Sequence, residues 1–226
     1  METTTRKKAK STLYGLYAIT PCSSIQSLST SELLSKIQSA IEGGARIVQY
    51  REKHLPKDVR REQAHAIKTL CERHNVCFLV NDDVVIAREV GAHGVHLGQG
   101  DLSLAHAREA LGKSAIIGIS CYNQLDLALQ AQQQGADYVA FGRFFSSQTK
   151  PSAVPADIDL LIRAKSELSI PIACIGGITA ENAKLLVSAG ADMLAVINAI
   201  FGAKGNGGAE DIRLAAQQLA ECFEPR

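Results

Sequence analysis

The sequence predicts an α/β protein built as a single closed (β/α)8 barrel. Three observations predict it. Short apolar runs alternate with helically periodic stretches along nearly the whole 226-residue chain. A Gly-Ala dipeptide followed by a short apolar run occurs four times, beginning at Gly44, Gly91, Gly135 and Gly190. No Gly-x-Gly-x-x-Gly follows the first strand, which counts against an open doubly wound sheet.

In chain order, Gly15–Thr20 is the first apolar run, and helical periodicity over Leu33–Ile41 follows it. Gly44-Ala45 opens the second run, Arg46-Ile47-Val48. Cys77–Val80 is the third, and the helical stretch Val84–Val90 leads to the fourth at Gly91-Ala92-His93-Gly94-Val95. Ala115–Ile119 is the fifth, and Leu125–Gln134 leads to the sixth at Gly135-Ala136-Asp137-Tyr138-Val139. Ile170–Ile175 is the seventh, and Ala183–Ala189 leads to the eighth at Gly190-Ala191-Asp192-Met193-Leu194. Runs this short and apolar suit strands covered on both faces. Glycine just past a helix end accepts a positive φ and caps the helix. Strands alternating with helices imply right-handed crossovers and a parallel sheet. Eight such units in about 210 residues fit a closed TIM barrel, and a repeat every two units matches the odd/even layering of its core.

No linker splits the chain, so residues 13–226 are expected to form one barrel domain. Residues 1–12, with Arg6, Lys7, Lys8 and Lys10, are expected to be a flexible basic tail. Gly202–Gly208 reads as a flexible connection before the last helix.

Lys plus Arg total 24 and Asp plus Glu 23, so the net charge is +1 and no global bias points to nucleic acid or to a membrane surface. No apolar run approaches the roughly 20 residues of a membrane span, and no secretory h-region follows the basic start. The six cysteines, Cys22, Cys71, Cys77, Cys121, Cys174 and Cys222, include no Cys-x-x-Cys pair. A reduced, cytoplasmic protein is expected. Cys121 and Cys174 read as small buried hydrophobes.

Active sites of this fold sit at the C-terminal ends of the strands. There stand Gln49-Tyr50-Arg51-Glu52-Lys53, Asn81-Asp82, His96 with Asp101, Ser120, the segment Gly142–Pro151, Gly176-Gly177 and Ile197-Asn198. Gly176-Gly177 suits a phosphate cradle after strand 7, or simply a tight turn needing φ > 0. Asp82 and Asp101 suit either a shared Mg²⁺, completed by substrate phosphates, or two helix N-caps. Arg51, Lys53 and Lys150 suit a diphosphate when grouped in one mouth, and are solvated surface charges when taken singly. His96 reads first as a hydrogen-bonded core histidine and second as a metal ligand.

These segments, in register, resemble the thiamine phosphate synthase family. The resemblance runs from about Leu13 to Phe201. It rests on Leu16–Thr20, Gln49–Lys53, Val80–Asp82, Gly94–Gln99 with Asp101, Ile117–Ser120, Thr149–Pro151, Ile175–Ile178 and Ala195–Ile200. It implies a transferase that joins 4-amino-2-methyl-5-hydroxymethylpyrimidine diphosphate to hydroxyethylthiazole phosphate, releasing diphosphate and giving thiamine phosphate. By the same resemblance Gln49, Tyr50, Arg51, Glu52 and Lys53 hold the pyrimidine diphosphate, with Asn81 and Ser120. Asp82 and Asp101 bind Mg²⁺, and Lys150 touches the diphosphate. Ser147, Gln148, Thr149, Gly177, Ile197 and Asn198 bind the thiazole phosphate. Arg51, Lys53, Ser120 and Lys150 carry the catalytic role.

Three positions depart from the family pattern. Arg143 stands where proline is usual, Ser147 where threonine is usual and Asn198 where serine is usual. Two competing readings follow. One is the related thiazole tautomerase, which has no diphosphate to expel and no need of Arg51, Lys53, Asp82, Asp101 and Lys150 together. The other is a non-catalytic phosphate-ligand-binding barrel. Small molecules are the expected partners, nucleic acid and membrane are not, and a homo-oligomer is compatible with the sequence.

Overall fold

The computed structural model describes residues 13–22, 28–146, 154–202 and 207–223. Residues 1–12 of the expected tail and 203–206 of the expected flexible connection lie outside the described residues. Eight strands close into one barrel in chain order: β1 (Gly15–Ile19), β2 (Ala45–Tyr50), β3 (Cys77–Asn81), β4 (Gly94–Leu97), β5 (Ile116–Tyr122), β6 (Tyr138–Phe141), β7 (Ile172–Ile175) and β8 (Met193–Val196). Every neighbouring pair is parallel, including β8 with β1. The helices are α1 (Thr30–Glu42), α2 (Lys57–Arg73), α3 (Val84–Val90), α4 (Leu104–Leu111), α5 (Leu125–Gln133), α6 (Ile158–Glu167), α7 (Ala180–Ser188), a short α8 (Asn198–Phe201) and α9 (Ala209–Ala220). The fold is the expected (β/α)8 barrel. Among the described residues no helix is long and apolar enough to cross a membrane.

Most strand boundaries shift by a few residues from the sequence pattern, and two shifts have a clear local reason. Strand β7 begins at Ile172, because Pro171 has no N–H for the ladder. Strand β5 continues to Tyr122 through a register shift after Ser120. All four glycines of the Gly-Ala repeat have φ > 0, as expected for the residue that ends a helix.

Alternation along each strand sorts side chains into two layers. Outward residues such as Leu16, Val48, Phe78, Ile117 and Leu194 pack against the helices. Inward residues such as Tyr17, Ile47, Leu79, Tyr138 and Met193 fill the barrel. Across one inward row Asn81, His96, Gly118 and Tyr138 stand side by side on β3 to β6. Gly118 is what admits Tyr138: a Cβ there would lie 2.0 Å from the Tyr138 ring. The ring crosses this gap and stacks on His96 at 5.6 Å between centroids.

The third residue of each Gly-Ala repeat reaches back to the start of the preceding strand. His93 Nδ1 accepts from Phe78 N at 3.0 Å, an Asp137 oxygen from Ile117 N at 2.9 Å and an Asp192 oxygen from Ile172 N at 2.9 Å. Arg46 lies across Gly15 in the same way, its Cδ 3.2 Å from where a Gly15 Cβ would stand. Asp137 also pairs with Arg108 at 2.6 Å and Asp192 with Lys165 at 2.7 Å. These contacts sit at the N-terminal ends of the strands, away from the mouth.

Gly118→Ala is expected to lower stability by about 1–3 kcal/mol through overpacking against Tyr138. Asp137→Ala is expected to cost roughly 3 kcal/mol, because it removes the carboxylate that pairs with Arg108 and accepts from the Ile117 amide. Urea unfolding measures both as a lower midpoint with an unchanged slope.

Candidate active site

A cavity of about 460 Å³ opens at the C-terminal ends of the strands. Of the residues expected at the site, Gln49, Arg51, Asn81, Ser120, Gly177, Ile197 and Asn198 line it. Arg51 is set in place by Thr20 at the end of β1. The buried Thr20 hydroxyl accepts from Arg51 N at 2.8 Å and donates to Arg51 O at 3.3 Å. His96 and Arg143 also face the cavity.

Lys53, Asp82 and Asp101 form a cluster beside the cavity. Lys53 Nζ is 2.9 Å from Asp82 Oδ2. Asp82 N donates to His96 O at 2.9 Å, which fixes the loop after β3 to β4. Asp101 Oδ2 accepts from Gly98 N at 2.7 Å. The Asp82 and Asp101 carboxyls lie close enough to influence each other's ionisation. Burial opposes ionisation of Asp82, but hydrogen bonds from Lys53 and Asp101 outweigh it and its pKa is lowered. Burial and the adjacent Asp82 raise the pKa of Asp101. Two carboxyls this close share a proton or a cation.

The helix-cap reading of these two residues is overturned. Asp83 caps α3, accepting from Ile86 N at 2.9 Å, and Ser103 caps α4. Asp82 and Asp101 are therefore left for the mouth. Two carboxylates suit a hard divalent cation that takes its remaining ligands from phosphates. Among the described residues no group of three His, Cys, Asp or Glu side chains forms a self-sufficient metal site.

Two expected substrate contacts are corrected. Tyr50 points away from the cavity, because residues next to each other on a strand face opposite ways. It is buried between β2 and α2, and its hydroxyl donates to Gln63 Oε1 at 2.8 Å. Glu52 turns into its own loop, where Oε1 accepts from His54 N at 2.7 Å. Ser147, Gln148, Thr149 and Lys150 lie outside the described residues.

Gly176 and Gly177 have φ of 104° and 63°. Their missing side chains let the loop after β6 press against the turn. A Cβ would come within 2.3 Å of Arg143 Cβ at Gly176 and within 2.3 Å of Ser146 O at Gly177. Phe144 N and Phe145 N donate to Ile175 O and Gly176 O. The tight-turn reading is thus present, and the turn lines the cavity as well.

Sequence reading missed the residues beneath the cavity. Gln49 Nε2 donates to the Tyr17 hydroxyl, which is 2.8 Å from the Tyr138 hydroxyl. Tyr138 is 2.9 Å from His96 Nδ1, and His96 Nε2 is 2.8 Å from Ser120 Oγ. His96 is hydrogen-bonded at both ring nitrogens and also borders the cavity. Tyr17 and Tyr138 share strand parity with Gln49, His96 and Ser120, and that parity is the signal that finds them.

The sequence matches the thiamine monophosphate synthase family over residues 16–200, a span that runs from β1 through β8 and lacks only Gly15 of the strands. The chain belongs to that family. Relatives include the thiamine-phosphate synthase of Thioalkalivibrio sulfidiphilus, 51% identical over 204 residues that span 90% of this chain and 95% of the relative. That of Nitrosospira multiformis is 50% identical over 210 residues, 93% of this chain and 86% of the relative. Among solved structures, thiamine phosphate pyrophosphorylase from Pyrococcus furiosus superposes with a TM-score of 0.80 at 32% identity, covering 93% of this chain and 96% of that one. The thiamine monophosphate synthase family is a family of transferases, and this barrel is one of them.

No thiol enters the site. Cys121 and Cys174 are fully buried between strands and helices, and burial pushes the Cys121 thiol up to about 12. Cys121→Ser and Cys174→Ser are expected to retain activity within about threefold, since neither thiolate forms near neutral pH. Initial rates of the folded variants measure this, and a dead but folded variant of either contradicts it.

Proposed function

We propose that the chain condenses 4-amino-2-methyl-5-hydroxymethylpyrimidine diphosphate with hydroxyethylthiazole phosphate, giving thiamine phosphate and diphosphate. The observation that carries this reading is one mouth holding two different surfaces. An aromatic-sized cavity with a polar floor adjoins a cluster of Lys53, Asp82 and Asp101. Family membership over all eight strands supports it.

Gln49, Asn81 and Ser120 bind the pyrimidine ring, and Arg51 and Lys53 bind its diphosphate. By family resemblance Lys150 joins them. Asp82 and Asp101 would hold Mg²⁺, which supplies neutralising charge to the diphosphate when bound. Gly177, Ile197 and Asn198 receive the thiazole phosphate, with Ser147, Gln148 and Thr149 from the neighbouring loop. Fixed cations stabilise the charge that develops on the departing diphosphate. The electron-rich aminopyrimidine supports the resulting cationic methylene, and the thiazole nitrogen attacks it. No protein nucleophile is needed. Holding the two rings together contributes on the order of 7–11 kcal/mol. Residues 13–226 act as one catalytic barrel, and the reduced cysteines suit the cytoplasm.

A coupled assay for diphosphate is the test. Release is expected only when both substrates and Mg²⁺ are present. Asp82→Ala and Asp101→Ala are each expected to lower the rate about a hundredfold or more while the fold survives. Near-normal turnover of either variant at saturating Mg²⁺ removes that residue from the metal role. Binding of the thiazole phosphate without any diphosphate release transfers the assignment to an isomerase.

A further inference from the structure

Asp82 reaches the mouth from a strained stretch of backbone. Asp83 N donates to Asn81 O at 2.7 Å, which closes a γ-turn around Asp82. Asp82 has a φ of 61°, and a γ-turn with a positive central φ is rare and strained. Such a conformation persists only where its surroundings hold it firmly. On one side Asp82 N donates to His96 O at 2.9 Å, and Asp82 Oδ2 pairs with Lys53 at 2.9 Å. On the other side the anchor is Asp83, whose two carboxylate oxygens are both engaged. Oδ1 accepts from Ile86 N at 2.9 Å, and Oδ2 accepts from Arg60 Nη1 at 3.1 Å.

Arg60 stands in the first turn of α2, the helix that follows the segment carrying Arg51 and Lys53. The segments after β2 and β3 are therefore bridged twice, by Lys53 with Asp82 and by Arg60 with Asp83. The two bridges differ. The Lys53 side chain is 48% exposed, and the proposed reaction sends it to the diphosphate. The Arg60 and Asp83 side chains are only 24% and 21% exposed, and neither lines the cavity. Among the described residues Arg60 Nε is the one side-chain nitrogen or oxygen buried without a partner. A guanidinium that leaves a buried donor unsatisfied is oriented by its carboxylate partner, not by the saturation of its own donors. A further pair between α2 and α3, Arg61 with Glu89 at 3.9 Å, is more exposed and contributes little.

We propose that Arg60 is a positioning residue that acts through Asp83: the pair clamps the turn carrying Asp82, so that Asp82 keeps its place when Lys53 leaves it for the diphosphate. The proposal rests on the reading of Asp82 as a Mg²⁺ ligand and of Lys53 as a diphosphate contact. Removing a residue that orients a metal ligand typically lowers metal affinity by roughly 10–100-fold.

The test is calorimetric binding of inorganic diphosphate to the full chain, with saturating Mg²⁺ and again with EDTA. No turnover enters this readout, and the ratio of the two affinities is the gain due to Mg²⁺. Arg60→Ala is expected to lower that gain about tenfold. Its affinity in EDTA is expected to stay unchanged, because Arg51 and Lys53 remain. Asp83→Asn keeps an oxygen to cap α3 but loses the charge facing Arg60. The same fall is expected of it, and it serves where Arg60→Ala does not fold. Arg60→Lys is expected to restore most of the gain, since Arg60 meets Asp83 through Nη1 alone and a point charge can replace it. Arg61→Ala, which removes the exposed pair between the same helices, is expected to leave the gain unmoved. A merely structural role for Arg60 lowers the melting temperature and leaves the gain of the folded variants intact. An intact gain in folded Arg60→Ala and Asp83→Asn, with the gain lost in Asp82→Ala, overturns this proposal alone. A wild-type chain without the gain, or a gain intact in Asp82→Ala, overturns the metal reading and the proposal with it.

Discussion

Eight strands closed on themselves must fill their own interior, and every polar group placed there needs a partner inside the barrel. Here the filling is partly a line of hydrogen-bonding side chains. Tyr138 crosses the gap left at Gly118, stacks on His96 and meets Tyr17 from the opposite side. The floor of the cavity is this filling. Gln49 and Ser120 are held in place because the residues between them are packed and paired. The mouth above inherits its shape from a core constraint.

The charged part of the site obeys a different rule. Consecutive acids at the end of β3 divide the work: Asp83 closes the helix and Asp82 is left for the mouth. After β4 the division is between Ser103 and Asp101. Capping consumes a side-chain oxygen at each helix start. Supplying a separate residue for that purpose leaves the Asp82 carboxyl to pair with Lys53 and the Asp101 carboxyl beside it. The turn at Gly176-Gly177 shows the same economy, packing the loop after β6 while presenting backbone to the cavity.

Much of this was legible in the chain. The alternation of apolar runs and helical stretches is a local property, so all eight strands and closure followed from it. Strand ends located the cavity for the same reason. Tyr50 faces away because side chains switch faces at each step of a strand, and Glu52 lies beyond the end of β2, where no strand pattern sets its direction. Asp82 and Asp83 are adjacent, and composition alone does not say which one caps. The pairing of Tyr17 with Tyr138 spans 121 positions, beyond any local pattern. Its clue was the glycine at 118, whose meaning depends on which strands become neighbours.

The reach of the Gly-Ala repeat has a consequence for the architecture. His93, Asp137 and Asp192 each bind back to the strand just before their own, and Arg46 covers the start of β1. The barrel is therefore sewn in couples: β1 with β2, β3 with β4, β5 with β6, β7 with β8. Three couples carry a side-chain hydrogen bond at the end remote from the mouth, and in the first Arg46 packs over Gly15. The seams between couples are closed by the backbone of the same turns, Ile116 N donating to His93 O at 2.9 Å and Gly15 N to Asp192 O at 2.9 Å. At the fourth and eighth strands one residue thus serves two joints, its side chain tying the strand before it and its carbonyl the strand after.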